Sequence, residues 1–447
     1  MAPATPARDP VQTLETALSA QQDRLLPCVH CGFCLPACPT YTRLGDEADS
    51  PRGRLHLMQA VVDGRLDPGS DAFRTHIDRC LGCRACEPVC PSGVEYGILL
   101  EHAREASIAA TPPDLLTRGL LAIMESRVLR ALFFTGGRVM RATRLAALGA
   151  RLLPGRGVLG SARRGLAMLA GSVPWRVPRS SRGQPGREAG SSEDAGARRG
   201  TRVGVLTGCV QEGLYKRVND ATVRVLEANG FEVVQVSGQS CCGALHAHAG
   251  GLGGAKELAR ENIEAFERAG VDAVVVNAAG CGASMKQYGV LLEDDPAHAE
   301  TAARFAEKVR DVDELLALVG PRRGAEVRCR VAYDHPCHLL HAQGIRDAPL
   351  QVLAAVPGLE VQPVENADEC CGGAGIYGIT HPDLGGRIGD DKVRAVQAAE
   401  ADVVATPNPG CMMQIAAGLR LSGSSTGVVH PVELLDESYR RAEYYER

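Results

Sequence analysis

Two copies of the spacing Cys-x2-Cys-x2-Cys-x3-Cys-Pro stand in the first hundred residues: Cys28, Cys31, Cys34 and Cys38 before Pro39, and Cys80, Cys83, Cys86 and Cys90 before Pro91. Three cysteines on one tight loop reach three corners of a cuboidal iron–sulfur cluster, while the fourth, just before proline, points away and ligates the other cluster. The spacing therefore predicts one 4Fe-4S cluster on Cys28, Cys31, Cys34 and Cys90, and a second on Cys80, Cys83, Cys86 and Cys38. Zinc is the other metal that soft thiolates favour. It needs four ligands in one place, and the doubled eight-cysteine pattern with both prolines does not suit it.

A chain of 447 residues, 45% of them hydrophobic, has the material for about three domains with real cores. Its 17 cysteines are grouped at metal-ligand spacings rather than spread as a disulfide framework. The stretch Met1 to Glu15 shows no basic n-region or apolar h-region, so a reducing, cytoplasmic compartment is expected. No apolar run approaches the roughly 18 residues of a spanning helix, which leaves peripheral contact with the inner face of the cell membrane as the expected mode of membrane association. A net charge of −4 with 4% aromatic residues gives no support for nucleic-acid binding, which calls for a basic stripe or stacking platforms.

The fold class expected is α+β and multidomain. Residues 1–110 carry the two cysteine loops, separated by a helical stretch from Arg54 to Val62 and followed by another from Gly97 to Ala110, the plan of a helical dicluster module. Residues 111–200 hold sixteen arginines, no lysine and five acids, a local charge of +11. The first half of this segment reads as amphipathic helix, with Leu120, Leu121, Ile123, Met124, Val128, Leu129, Leu132 and Phe133 interrupted by Arg127 and Arg130. It suits either a docking face for a partner subunit or anionic lipid, or an ordinary basic connector. Arg176 to Gly200 reads as a flexible linker. Residues 201–325 and 326–447 then repeat one order of β-rich and helical runs, which predicts two tandem α/β domains with parallel sheets.

Cysteines mark matching points of the two copies. Cys209 is followed by Cys241-Cys242-Gly243 at 32 residues and by Cys281 at 39 beyond Cys242; Cys337 is followed by Cys370-Cys371-Gly372 at 33 and by Cys411 at 40 beyond Cys371. Each falls where a strand should end, the place at which open α/β sheets set their ligand sites. Gly243, Gly282, Gly372 and Gly410 beside them would let the backbone take a positive φ or approach a bulky ligand. A metal or cluster site in each repeat is the inference, against the alternative of small buried core residues or a site that has lost its cofactor. Cys329 has no counterpart and reads as structural. His246, His248, His335, His338, His341 and His381 gather along the sequence near these cysteines, and His338 with His341 form the pair suited to proton handling near a quinone or thiol.

With both motif sets in view the chain resembles the iron–sulfur subunit of bacterial glycolate oxidase, also called glycolate dehydrogenase. The resemblance runs end to end, through Cys28-Val29-His30-Cys31-Gly32-Phe33-Cys34, Cys38-Pro39-Thr40-Tyr41, Gly45-Asp46-Glu47, Pro51-Arg52-Gly53-Arg54, Asp78-Arg79-Cys80-Leu81, Cys90-Pro91-Ser92-Gly93-Val94, Cys281-Gly282-Ala283 and Thr380-His381-Pro382-Asp383-Leu384. The two later repeats resemble the cysteine-rich, CCG-type domain shared with heterodisulfide reductase, relatives of succinate:quinone reductase and a subunit of anaerobic glycerol-3-phosphate dehydrogenase. The resemblance implies an electron-transfer subunit of a complex whose FAD-bearing partner subunits oxidise glycolate to glyoxylate. Where heterodisulfide reductase continues its third cysteine into a Cys-x-x-Cys pair, this chain has Ser284 and Gln414, so each repeat offers four thiolates. A further iron–sulfur cluster, one with a serine or water ligand, or an empty site are all consistent with that set.

No dinucleotide fingerprint and no hydride-transfer pocket is legible, so alcohol oxidation is expected in partners. Alternatives are a self-contained redox protein of the heterodisulfide reductase or quinone-reducing kind, the iron–sulfur subunit of a lactate or glycerol-3-phosphate dehydrogenase, and an assembly protein with structural metals.

Overall fold

The computed structural model describes residues 18–155, 157–175 and 200–445. The linker expected from Arg176 to Gly200 lies, but for Gly200, outside the described residues, as does Met1 to Glu15. The chain forms two compact units: the described residues up to Leu121 with Leu245–Ala255, and Ala122–Ala244 with Lys256 onward.

The first unit is helical. Ser50 opens the helix Pro51–Val62, its Oγ accepting from Gly53 N at 2.9 Å with Pro51 pre-set at the first position. Ser70 opens Asp71–Asp78 in the same way, and Tyr96–Ala110 completes the module. Leu55, Met58 and Val61, Phe73 and Ile77, and Leu99, Leu100 and Ala103 bury one face of each helix in a common core that also takes in Cys80 and Cys86. Both cysteine loops use the same backbone device. Positive φ falls at His30 and Gly32 in the first and at Gly82 and Arg84 in the second, two and four residues after the leading cysteine. The repeated left-handed turns curl each loop around its cysteine side chains, with a non-glycine residue held there once in each loop.

In the second unit each repeat builds a four-stranded parallel sheet. Strands β1 (Arg202–Val205), β2 (Glu232–Val234), β3 (Ala273–Val276) and β4 (Val309–Asp311) run in the order β2-β1-β3-β4. Strands β5 (Cys329–Tyr333), β6 (Leu359–Gln362), β7 (Val403–Ala405) and β8 (Gly427–Val429) run in the order β6-β5-β7-β8. Val203 pairs with Val233 and Ala273 in the first sheet, and Val331 with Val361 and Val403 in the second, so the two registers match. Val274, Val275 and Val276 of β3, and every residue of β7, are buried, as expected of central strands covered on both faces. In both sheets the crossovers leave the first strand in opposite directions, which puts the topological switch point between β1 and β3 and between β5 and β7.

The arginine-rich segment is helical over Leu115–Glu125, Arg127–Ala142, Leu145–Leu152 and Gly157–Gly171. Within the second unit one face of it is occupied. Ala150, Ala167 and Met168 pack with Ala417, and Phe134 lies so close to Gly213 that a Cβ there would stand 2.3 Å from its ring.

Candidate iron–sulfur centres and the duplicated cysteine sites

The two loops of the first unit enclose two hollows. One, of about 430 Å³ including its mouth, is lined by Cys28, Cys31, Cys34 and Cys90, together with Cys86. The other, of about 290 Å³, is lined by Cys38, Cys80, Cys83 and Cys86. Each loop thus sends its last cysteine to its neighbour's hollow, and Pro51, Cys86 and Tyr96 line both. A tetrahedral zinc–thiolate site would hold its sulfurs about 3.8 Å apart. Among the described residues the one triad of ligand atoms within 4.8 Å of one another is Asp46, Asp49 and His76, so no three of these sulfurs have mononuclear spacing. The donor set and the two hollows fit cubane clusters.

The surroundings of the two sets differ. Cys38, Cys80, Cys83 and Cys86 are buried, whereas Cys31 is exposed and Cys28, Cys34 and Cys90 are partly so. Burial pushes the Cys86 thiol well above its ordinary range and raises Cys34. Iron binding must reverse both shifts, because only thiolates ligate. Arg52 fixes the first loop, donating to the His30 carbonyl at 3.1 Å while Glu47 holds it at 2.8 Å. Around that loop Val29 and Phe33 are 69% and 66% exposed. In the second set Tyr96 OH and Gly82 N donate to Cys80 Sγ at 3.6 and 3.4 Å.

In the second unit each set of four cysteines comes together at the carboxyl ends of the central strands. Cys209 Sγ lies 3.3 Å from Cys241 Sγ, and Cys242 is within hydrogen-bonding reach of both Cys241 and Cys281. Cys371 Sγ lies 3.3 Å from Cys411 Sγ, with Cys370 joining Cys371 to Cys337. Cys209, Cys281 and Cys411 sit at or within the first turn of the helices Val210–Ala228, Ala279–Lys286 and Pro409–Leu421, where the helix dipole favours a thiolate. Gly243 and Gly372 have positive φ, and a Cβ on Gly372 would meet Gly385 O at 2.5 Å. Gly282 and Gly410 do not share that conformation; they lie in the helices Ala279–Lys286 and Pro409–Leu421.

The repeats are not electrostatically equal. Lys392 is buried in the second, paired with Asp334 at 3.0 Å and donating to Asn366 O and Ala367 O. Its charge helps hold Cys371 below the usual thiol range, after the hydrogen bonds from Cys370 and Cys411. At the equivalent place in the first repeat stands neutral Asn262, which holds Ser240 N and Cys241 O. Hydrogen bonds to the neighbouring sulfurs and burial keep Cys209 and Cys242 raised, as they do Cys370 and Cys411 in the second repeat.

The histidines divide. His246 and His248 belong to the first unit, where His248 Nδ1 meets Glu101 at 3.2 Å. His338 Nδ1 lies 3.6 Å from Cys337 Sγ, while His341 Nε2 donates to Asp368 O at 3.3 Å, so the two rings serve different neighbours. His335 packs edge-on to Tyr333 and His381 stacks on Tyr377. Cys329 is the buried first residue of β5, its thiol pushed up to about 12 by burial. Ser284 Oγ donates to Cys242 O at 3.3 Å, and Gln414 is buried between Gly373 and Gly389. Sequence reasoning passed over Lys392 and Arg54, two buried cations beside the cysteines, because a lone basic residue in a helical run looks like solvated surface.

A helical module with two four-cysteine hollows, joined to two parallel sheets that each gather four thiols, defines a dicluster iron–sulfur protein with paired cysteine-rich domains. The 4Fe-4S dicluster domain family model matches residues 24–94, and the cysteine-rich domain model matches residues 203–286 and 331–416. The chain is 39% identical over 424 residues to the "Probable glycolate oxidase iron-sulfur subunit" of Bacillus subtilis, covering 93% of each chain. It is 33% identical over 434 residues to the "Glycolate oxidase iron-sulfur subunit" of Escherichia coli, covering 96% of this chain and 97% of that one. The "Lactate utilization protein A" of Geobacillus kaustophilus is 31% identical over 237 residues, 53% of this chain. The chain belongs to the glycolate oxidase iron–sulfur subunit family.

Proposed function

We propose that this chain is the electron-transfer subunit of a glycolate-oxidising complex, taking electrons from FAD on partner subunits and relaying them toward quinone or another acceptor. The observation that carries the reading is the pair of hollows with exchanged fourth cysteines, in a chain related over more than nine-tenths of its length to glycolate oxidase iron–sulfur subunits. Cys28, Cys31, Cys34 and Cys90 would hold one cluster and Cys38, Cys80, Cys83 and Cys86 the other. Such clusters, when bound, accept and pass single electrons, which lets a two-electron flavin be emptied stepwise.

The protein's own part is placement. Exposed Cys31, ringed by exposed Val29 and Phe33, offers a partner an apolar contact beside the first site, and this is where electrons would enter. Tyr96 and Gly82 hydrogen-bond the Cys80 sulfur, and the shared wall of Pro51, Cys86 and Tyr96 keeps the second site next to the first. The cysteine sets of the repeats would hold a further cluster, with Lys392 favouring the second repeat. No helix among the described residues is long and apolar enough to cross a membrane; we place the protein in the cytoplasm, with any membrane contact peripheral.

Replacing Cys80 with serine in the assembled complex is expected to leave flavin reduction by glycolate intact and to stop electron delivery to an acceptor. Unchanged turnover with acceptor would overturn the reading.

A further inference from the structure

Arg54 carries a full charge and no solvent exposure, and the ligation proposed above gives it no role. Its Nε donates to His76 O at 2.6 Å, both terminal nitrogens reach Thr40 Oγ1 at 3.2 Å, Nη2 meets Asp49 Oδ1 at 3.4 Å, and Nη1 lies 3.9 Å from Cys38 Sγ. Thr40 Oγ1 is itself 3.1 Å from that sulfur. Asp49, equally buried, does not belong to Arg54 alone: His76 Nδ1 at 3.0 Å and Arg79 Nη1 at 2.9 Å share its carboxylate. Two guanidinium groups share the Asp49 carboxylate, and the exposed Asp46 carboxylate stands within 4.8 Å of it; of these charges the one that reaches the Cys38 sulfur is the Arg54 guanidinium, inside the wall of the hollow that Arg54 also lines.

A mere tie between Thr40, Asp49 and His76 would not need a charge, and removing a guanidinium from water is costly. The charge has a use on electron arrival. One-electron reduction adds one negative charge to the site, which burial of Cys38, Cys80, Cys83 and Cys86 opposes and a fixed cation offsets. The exposed first set has water for that purpose.

We infer that Arg54 sets the reduction potential of the cluster on Cys38, Cys80, Cys83 and Cys86, raising it so that an electron entering at the exposed first loop passes inward. It is a positioning residue, acting through the cluster environment rather than on substrate. The inference rests on the ligation proposed above.

The test is a dithionite titration of the full-length, anaerobically iron-loaded chain, followed by EPR, with iron and sulfide counted for each variant. Arg54→Gln is expected to lower the reduction equilibrium constant of one cluster at least about tenfold, about 59 mV for one electron, and to leave the other where it was. Arg54→Lys should restore most of the shift. Two intact clusters with unmoved potentials in Arg54→Gln would overturn the inference and leave the ligation standing; a wild-type chain without two cubane signals would overturn both. Should Arg54→Gln fail to take up its second cluster because Asp49 is left buried without its partner, the double variant Arg54→Gln with Asp49→Asn is compared with Asp49→Asn alone: a lower potential in the double variant supports the inference, and an equal or higher one refutes it.

Discussion

Cys38 and Cys90 each stand in one loop and face the hollow of the other. A reading that gave each motif its own four cysteines would place the loss caused by Cys38→Ser at the exposed centre. The geometry says otherwise: Cys38→Ser is expected to disturb the buried centre lined by Cys80, Cys83 and Cys86, and Cys90→Ser the exposed one. Iron content of about four fewer atoms per chain in each variant, with different EPR signals lost, checks it. Which hollow Cys38 and Cys90 line was legible in the residues, because the proline after the fourth cysteine announces the exchange. What surrounds the cysteines was not. Gly53 looks like a helix-weakening residue in sequence, yet a Cβ there would stand 1.9 Å from Glu47 O, so glycine is what lets the helix Pro51–Val62 press against the turn that delivers Asp49 to Arg54.

At the scale of elements, six of the eight strands among the described residues were legible as the β-rich runs of the two repeats, each an apolar run between turn residues, and β4 and β8 were not. Val309-Arg310-Asp311 sits inside a charged run that reads as helix, and Gly427-Val428-Val429 offers two apolar residues before His430-Pro431, so neither stands out as a β-rich run, and they become strands because β3 and β7 offer an edge. The residue that ends β4 has consequences of its own. Asp311 caps the helix Val312–Val319, accepting from Asp313 N at 2.9 Å while Glu314 holds the Asp311 N–H at 3.1 Å. Lys286 faces it from the helix Ala279–Lys286 but is paired with Glu314 at 2.8 Å, and Tyr333 of β5 and buried Asp313 are its other titratable neighbours. Burial raises the Asp311 carboxyl to about 7, so the folded state holds a proton that the unfolded chain gives up near pH 4. Its contribution to stability is therefore full below about pH 4 and is lost as the pH rises through 7. Asp311→Asn keeps a good cap and removes the titration. The variant's melting temperature is expected to gain on the wild type by roughly 3 °C or more between pH 5 and 8, read by calorimetry in parallel buffers; a constant difference would show that Asp311 is ionised throughout.

On the whole molecule, the feature left without internal use is the outer face of the arginine-rich helices. Phe134, Ala150, Ala167 and Met168 spend the inner face on the repeats, and Val128, Leu129, Leu132, Phe133, Val139, Leu145, Leu148 and Leu152 remain exposed. Arg127, Arg138, Arg144 and Arg151 are exposed among them. The sequence showed the amphipathic period and the +11 charge of residues 111–200 but left docking face and connector equally open, since periodicity records that one face is buried without saying against what. The structure uses one face internally and leaves a second apolar one exposed, the kind of patch that a docking face would present. Leucine and phenylalanine interleaved with arginine, with acids scarce, match the interface of an anionic bilayer, where each basic side chain near the surface adds about 1 kcal/mol and the apolar ones enter the acyl boundary. The full-length chain is accordingly expected to sediment with phosphatidylglycerol vesicles and far less with phosphatidylcholine, and Leu132→Glu with Phe133→Glu to abolish sedimentation while leaving the two cluster signals unchanged. Sedimentation that survives the double substitution would place the contact elsewhere. Loss of association with the flavin subunits in its place would make this face a protein interface.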